Sequence, residues 1–253
     1  MIIGGVAGGA TAAARLRRLN ETVQIIMFER GEHISFANCG LPYYIGGAID
    51  SREALLLQTP ESFHRQFLVD VRVHSEVVSI DRRAKTIEVH NKKTGDTYTE
   101  SYDKLLLAPG AAPIKPPIEG INSERVFTLR NVEDIDRIKA YISNKRPKNA
   151  AVVGGGFIGI EMAENLNQAG IDTSIIELSD QLIAPLDIDM VCDVQRYMQK
   201  KGISLYLKNG LQKIIENDKG LSIVLQNGSI EADMVILAIG VKPENALAKD
   251  AGL

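Results

Sequence analysis

An α/β fold made of two similar modules is what this chain of 253 residues predicts. Three observations carry the prediction. Two glycine clusters, Gly4-Gly5-Val6-Ala7-Gly8-Gly9 and Gly154-Gly155-Gly156-Phe157-Ile158-Gly159, stand about 150 residues apart. Each lies between an apolar run of strand type and a helical stretch, and each is followed by a second apolar run ending in an acid, Glu29 or Glu177. Between the two modules, Pro113, Pro116 and Pro117 make a stiff connector. Composition narrows the class further. A hydrophobic content of 45% supports a sizeable core, and a net charge of -3 gives no reason to expect nucleic acid or an anionic membrane as partner. Two cysteines cannot build a disulfide framework, so a reducing, cytoplasmic setting is expected. No basic region precedes the apolar start and no apolar run approaches the ~18 residues of a membrane helix, so neither a signal peptide nor a span is expected.

The elements follow in order. Met1-Ile2-Ile3 begins a strand that is short against the usual ~5–6 residues. After the first glycine cluster come a helix over 10–19 and a strand over 23–28, with Glu29 lying 20 residues after Gly9. In such a unit the glycines let the backbone approach a pyrophosphate at the helix N-terminus, and the acid takes a ribose hydroxyl. The first cluster departs from the usual glycine spacing, because Val6 stands where a middle glycine is expected between Gly4 and Gly9. Thr59-Pro60-Glu61 starts a helix, with Thr as cap. A strand is expected over 71–80, a hairpin over 85–90 and 97–102, and a short apolar strand over 105–108 that runs into Pro109-Gly110. In the second module a strand over 150–153 leads to the glycines, a helix to Gln168 and a strand over 173–176. Gly154-x-Gly156-x-x-Gly159 fits the dinucleotide fingerprint without departure, and Glu177 follows Gly159 by 18 residues. A carboxylate at the ribose position repels a 2′-phosphate, so Glu177 favours NADH over NADPH. Strands over 203–207, 211–216, 221–225 and 234–238 are expected to finish this module.

One stretch stands outside both modules' patterns: Ser35-Phe36-Ala37-Asn38-Cys39-Gly40-Leu41-Pro42-Tyr43-Tyr44. Cys39 sits ten residues past Glu29, among small and turn-forming residues. A thiol just past a cofactor site is a candidate redox centre, and the N-terminus of a short helix is where reactive thiolates are held. Asn38 is a candidate cap for that helix, and Gly40 lets another group approach the sulfur. The alternative is a buried structural cysteine. Cys192 lies in a helical stretch with apolar residues at Ile188, Val191, Val194 and Met198, so periodicity accounts for it as a core or interface residue. His33 is either a base near Cys39 or a loop residue. His64, His74 and His90 show no metal-ligand spacing, and no metal is expected. Arg15, Arg17 and Arg18 crowd one helix, either as a solvated surface or as a basic cradle for an anionic substrate, with Arg65 a further candidate.

The ten-residue cysteine stretch resembles the single-cysteine active-site motif of coenzyme A-disulfide reductases, within the FAD- and NAD(P)-dependent pyridine nucleotide-disulfide oxidoreductases. The resemblance runs through all 253 residues. It implies an FAD-binding domain over 1–112 carrying the redox cysteine, a linker over 113–120, an NAD(P)H-binding domain over 121–240 inserted into it, and a return to the FAD domain over 241–253. It further implies that the chain is a fragment, cut slightly at the N-terminus and heavily at the C-terminus, with a dimerisation domain absent. The full-length protein would be a homodimer.

For site residues the resemblance implies Cys39, Asn38 and Ser35 as the catalytic set. It implies Gly4, Val6, Ala7, Gly9, Glu29, Arg30, Val77, Ala108, Gly110 and Arg130 around FAD, and Gly154, Gly156, Ile158, Gly159, Glu161, Glu177 and Gly240 around NADH, with NADPH possible. Glu161 matches a family Glu near the nicotinamide; its alternative is a helix surface charge. Arg15, Arg18 and Arg65 would hold the coenzyme A phosphates. Related NADH oxidases and peroxidases carry a His in the first glycine loop, and Ala7 in its place turns the reading towards a disulfide substrate. The implied activity is NAD(P)H-dependent reduction of coenzyme A disulfide, or of a coenzyme A persulfide or polysulfide, through a mixed disulfide on Cys39. Two alternatives stand beside it: an NADH oxidase or peroxidase cycling Cys39 through sulfenic acid, and a non-catalytic FAD- or NADH-binding redox sensor.

Overall fold

A computed structural model describes residues 1–218 and 220–253. Along the chain it forms β1 (Ile2–Ile3), α1 (Ala7–Leu19), β2 (Ile25–Phe28), α2 (Leu41–Gly46), α3 (Pro60–Phe67), β3 (Val69–Arg72), β4 (Ser75–Asp81), β5 (Thr86–Asn91), β6 (Thr97–Ser101), β7 (Leu106–Leu107) and β8 (Ala111–Pro113). Then follow β9 (Val126–Thr128), α4 (Val132–Lys145), β10 (Asn149–Val153), α5 (Phe157–Gln168), β11 (Asp172–Ile176), α6 (Ile188–Lys200), β12 (Ser204–Tyr206), β13 (Leu211–Asn217), β14 (Gly220–Leu225), β15 (Ser229–Ala232), β16 (Met234–Leu237), β17 (Val241–Pro243) and α7 (Ala246–Asp250). The chain divides into two units, and the first is discontinuous. It comprises Met1–Ala37, Glu53–Ala111 and Pro243–Leu253, while Asn38–Arg52 and Ala112–Lys242 form the second. The α/β class and the insertion of one module into the other are as the sequence predicts. Among the described residues, no helix is long and apolar enough to cross a membrane.

In the first unit β3-β2-β1-β7 form a parallel sheet, and β4-β5-β6 an antiparallel one. Strand alternation sorts the core into two layers. Ile2, Ile25 and Met27 pack with Ala10 and Ala13 of α1, whose small side chains let helix and strand approach closely. Ile3, Ile26 and Phe28 face the other way, onto Val77, Ile87 and Val89 of the antiparallel sheet. The second unit repeats the plan. Its parallel sheet runs β12-β11-β10-β16-β9. Ala151, Val153, Val235 and Leu237 meet Ile214, Leu221, Ile223 and Leu225 from the antiparallel sheet β13-β14-β15, and α5 packs against β10, β11 and β16.

The expected continuous strand over 71–80 is corrected to two, β3 and β4. His74 takes a left-handed φ of 52°, and its N–H leaves the strand ladder to donate to Gly31 O at 2.9 Å. The chain thus passes from the parallel to the antiparallel sheet. Strands over 211–225 do exist, but they build a sheet of their own with β15 instead of extending the parallel one. The helix of the first module starts at Ala7, not at residue 10. Thr59 caps α3 as expected, in a reciprocal pair with Ser62.

Candidate functional site

Each unit presents a glycine loop between its first strand and helix, and the two loops are built alike. In the first, Gly4 N–H donates to Phe28 O at 2.8 Å. Gly4 has φ +100°, and a Cβ there would lie 2.0 Å from Ala108 O, so only glycine fits. Glu29 then clips the loop: its carboxylate accepts from Gly5 N–H at 2.8 Å and from Gly31 N–H at 2.8 Å. Ser35 N–H closes on Gly5 O at 2.9 Å. No side chain caps α1, which leaves its first-turn N–H groups for an anion.

The second loop reproduces this set. Gly154 N–H donates to Ile176 O at 2.8 Å, and with φ +110° a Cβ would fall 2.4 Å from Ala238 O. Glu177 accepts from Gly155 N–H at 2.6 Å and from Ser179 N–H at 2.7 Å. Ile183 N–H closes on Gly155 O at 2.8 Å. Gly9 and Gly159 hold the same place, each with its Cβ position within 2 Å of the carbonyl oxygen of Gly4 or Gly154. The counterpart of Val6 is Gly156, around which nothing lies within 4 Å of a built Cβ. In the second loop a Cβ at this position would meet no protein atom, so the loop geometry itself does not demand glycine there.

Other residues expected at the site are placed as follows. Ala108 lies against Gly4, while Gly110 and Gly240 are exposed glycines with φ +77° and +120°. Ala7 and Ile158 are exposed in the first turns of α1 and α5. Arg30 is engaged with Glu244 and Glu76, Val77 is buried in the core, and Arg130 is half-buried before α4. Arg15 and Arg18 are exposed on α1, as is Arg65 on α3. Arg17 parts from them: it donates to the carbonyls of Phe67 at 2.7 Å, Leu68 at 3.0 Å and Glu21 at 2.7 Å, which makes it a structural clamp.

The cysteine stretch forms a 3₁₀ turn, Asn38–Gly40, leading into α2, with Asn38 and Cys39 exposed. The expected Asn38 cap is corrected: Gly40 is the N-cap of α2, and no side chain bonds there. This segment packs with the second unit. Gly46 faces Asn165 of α5 so closely that a Cβ would sit 2.2 Å from Asn165 Oδ1. Arg52 meets Asp136 of α4 through two contacts from Nε, at 3.0 and 2.9 Å, and one from Nη2 at 2.8 Å. Lys139 of α4 reaches Tyr44. Sequence reasoning missed α4 and with it Asp136 and Lys139. The signal was present in Asn131, whose side chain accepts from Asp134 N–H as an N-cap, and in buried Val132, Ile135 and Ile138 at helical spacing. Cys192 is half-buried on α6, next to buried Val191.

Burial, and next the charge of Glu164 one turn along, push the Glu161 carboxyl above its ordinary range. An acid raised in the folded state stabilises fully below its unfolded pKa of ~4.3 and loses that contribution as pH climbs through the folded value. Glu161→Gln should therefore raise the melting temperature by about 1–2 °C at pH 8 and by nothing at pH 4. Thermal melts at the two pH values check this, and an equal shift at both would remove ionisation as the cause.

The site thus consists of two glycine loops, each clipped by an acid before a helix without a side-chain cap, and an exposed thiol on a held segment. Residues 1–253 match the pyridine nucleotide-disulphide oxidoreductase family, and the chain belongs to it. The reduced CoADR-RHD protein of Bacillus anthracis, known from a crystal structure, shares 53% identity at a TM-score of 0.97, over 100% of this chain and 45% of that one. An NADH oxidase of Methanocaldococcus jannaschii is 37% identical over 100% of this chain and 56% of its own length. A coenzyme A disulfide reductase of Staphylococcus aureus is 36% identical with the same coverage. The chain thus spans about half the length of the curated relatives it matches.

Proposed function

We propose that this chain is the nucleotide- and thiol-bearing part of an NAD(P)H:disulfide oxidoreductase, with FAD on the first glycine loop, NADH on the second, and coenzyme A disulfide or persulfide as substrate. One observation carries the reading: Cys39 is an exposed free thiol on an anchored turn, and Cys192, the other cysteine, is half-buried and also free. The second sulfur then comes from the substrate. The Cys39 thiolate attacks one sulfur of RSSR; that S–S bond breaks, RS⁻ leaves, and Cys39–S–S–R remains. FAD, when bound, supplies the two electrons it takes from NADH, which return Cys39 to thiolate and release the second RS⁻. Overall, NADH, one proton and one disulfide give NAD⁺ and two thiols.

The second loop has no Cβ at Gly156, where a pyrophosphate would approach the backbone, while the first carries Val6 there; each acid keeps lone pairs beyond its two N–H bonds. Arg15, Arg18 and Arg65 are proposed for the coenzyme A phosphates. At Glu177, NADH is the proposed preference. Glu177→Arg should raise the NADPH-to-NADH activity ratio by about tenfold or more, while turnover with NADH falls because the clip on Gly155 and Ser179 is lost. An unchanged ratio would mean that Glu177 does not face the ribose.

The Methanocaldococcus relative favours a second reading, an NADH oxidase in which Cys39 cycles through sulfenic acid. NADH consumption by the intact protein, compared with coenzyme A disulfide, coenzyme A persulfide, oxygen and peroxide, decides between the two. Faster turnover with oxygen than with either sulfur acceptor would overturn the disulfide reading.

A further inference from the structure

The turn that carries Cys39 leads into a helix too short to stand alone. α2 has six residues, against the ~12–15 at which isolated helices become marginal in water. Its last carbonyls need partners from outside the helix. Tyr43 O accepts from Ile49 N–H at 3.1 Å, and Tyr44 O accepts from the Lys139 ammonium at 2.7 Å. The same ammonium lies 3.5 Å from the centroid of the Tyr44 ring. A cation is favourable at this end of a helix, and over an aromatic face. Lys139 is half-buried on α4, and the Arg52–Asp136 pair from the same helix ties down the far end of the segment.

We propose that Lys139 is a positioning residue for the Cys39 chemistry: its ammonium fastens the C-terminal end of α2 and thereby fixes the backbone that carries the thiol. This rests on the reading of Cys39 as the reacting sulfur. Asp136 holds Arg52 in support, and Asn165 forms the floor under Gly46.

The test is hydrogen exchange of the full chain, followed by mass spectrometry over 38–52, in Lys139→Met, Lys139→Arg and Lys145→Met. Lys145 is exposed at the last position of α4 and serves as control. Exchange in 38–52 should rise about tenfold in Lys139→Met and stay near wild type in the other two, because a guanidinium can also donate to Tyr44 O and lie on its ring. In the intact enzyme, kcat for disulfide should fall about tenfold in Lys139→Met with KM for NADH unchanged, and Lys139→Arg should restore it. If Lys139→Met does not fold, Lys139→Gln, which keeps a polar side chain but removes the charge and the reach to Tyr44, should loosen the same segment, and unchanged exchange there would overturn the proposal. Unchanged exchange over 38–52, or an increase spread equally over β10 and β16, overturns the proposal. The exchange result stands even if no disulfide is turned over, so failure of this inference and failure of the proposed activity remain distinct.

Discussion

Replacing Cys39 by Ser is expected to lower disulfide reduction by roughly three orders of magnitude or more, while bound flavin is still reduced by NADH. A hydroxyl at this position cannot form the S–S bond on which the cycle depends, and it is far less nucleophilic than a thiolate at neutral pH. Electron transfer from nicotinamide to flavin makes no use of the thiol, so it should survive. Cys192→Ser should keep most of the activity, since Cys192 is half-buried on α6. Stopped-flow flavin reduction and steady-state disulfide turnover, run on both variants, separate the two half-reactions. Equal loss from both substitutions would point to an internal disulfide and sink the single-thiol cycle.

A large stability effect is expected at Gly154. Alanine there must hold φ +110° and place its Cβ 2.4 Å from a backbone oxygen, Ala238 O. Left-handed strain and forced overpacking each cost ~1–3 kcal/mol, so the two together should remove about 2–6 kcal/mol of unfolding free energy. Backbone cannot swing aside as a flexible side chain would, and β16 ends at the residue before Ala238. Gly156→Ala is the matched control: its φ is -79° and nothing lies within 4 Å, so stability should stay within ~0.5 kcal/mol of wild type. Urea unfolding of the two variants measures the difference. A Gly154→Ala chain as stable as wild type would mean that the loop can relax around a Cβ, and the requirement for glycine at this turn would fall.

Much of the candidate site was legible because glycine spacing encodes backbone geometry directly. Gly4 and Gly154 announce positions where a side chain cannot go, and Glu29 and Glu177 announce what ends the next strand. What the acids do within the protein was less visible, since their bonds to Gly5 and Gly155 N–H depend on a loop conformation that spacing does not describe. The left-handed His74 was hidden for a similar reason: Val71, Val73, Val77 and Val78 read as one strand, and a single backbone angle breaks it. Alternation in 211–225 gave strands but not their partners, because the pattern of one strand is silent about which sheet it joins. The anchoring of the cysteine segment was out of reach, for its partners Asp136, Lys139 and Asn165 belong to helices far along the chain.

That distance has a consequence during synthesis. Tyr44 and Lys139 are separated by 95 residues, and Arg52 and Asp136 by 84. A ribosome adding ~5–20 residues per second delivers Lys139 about 5–20 s after Tyr44. For that interval the newly made Cys39 sits on peptide whose helix has nothing to dock on, however well the preceding strands have formed. Oxidation of the nascent thiol then competes with translation itself, so the yield of reduced protein should fall when elongation is slowed under oxidant.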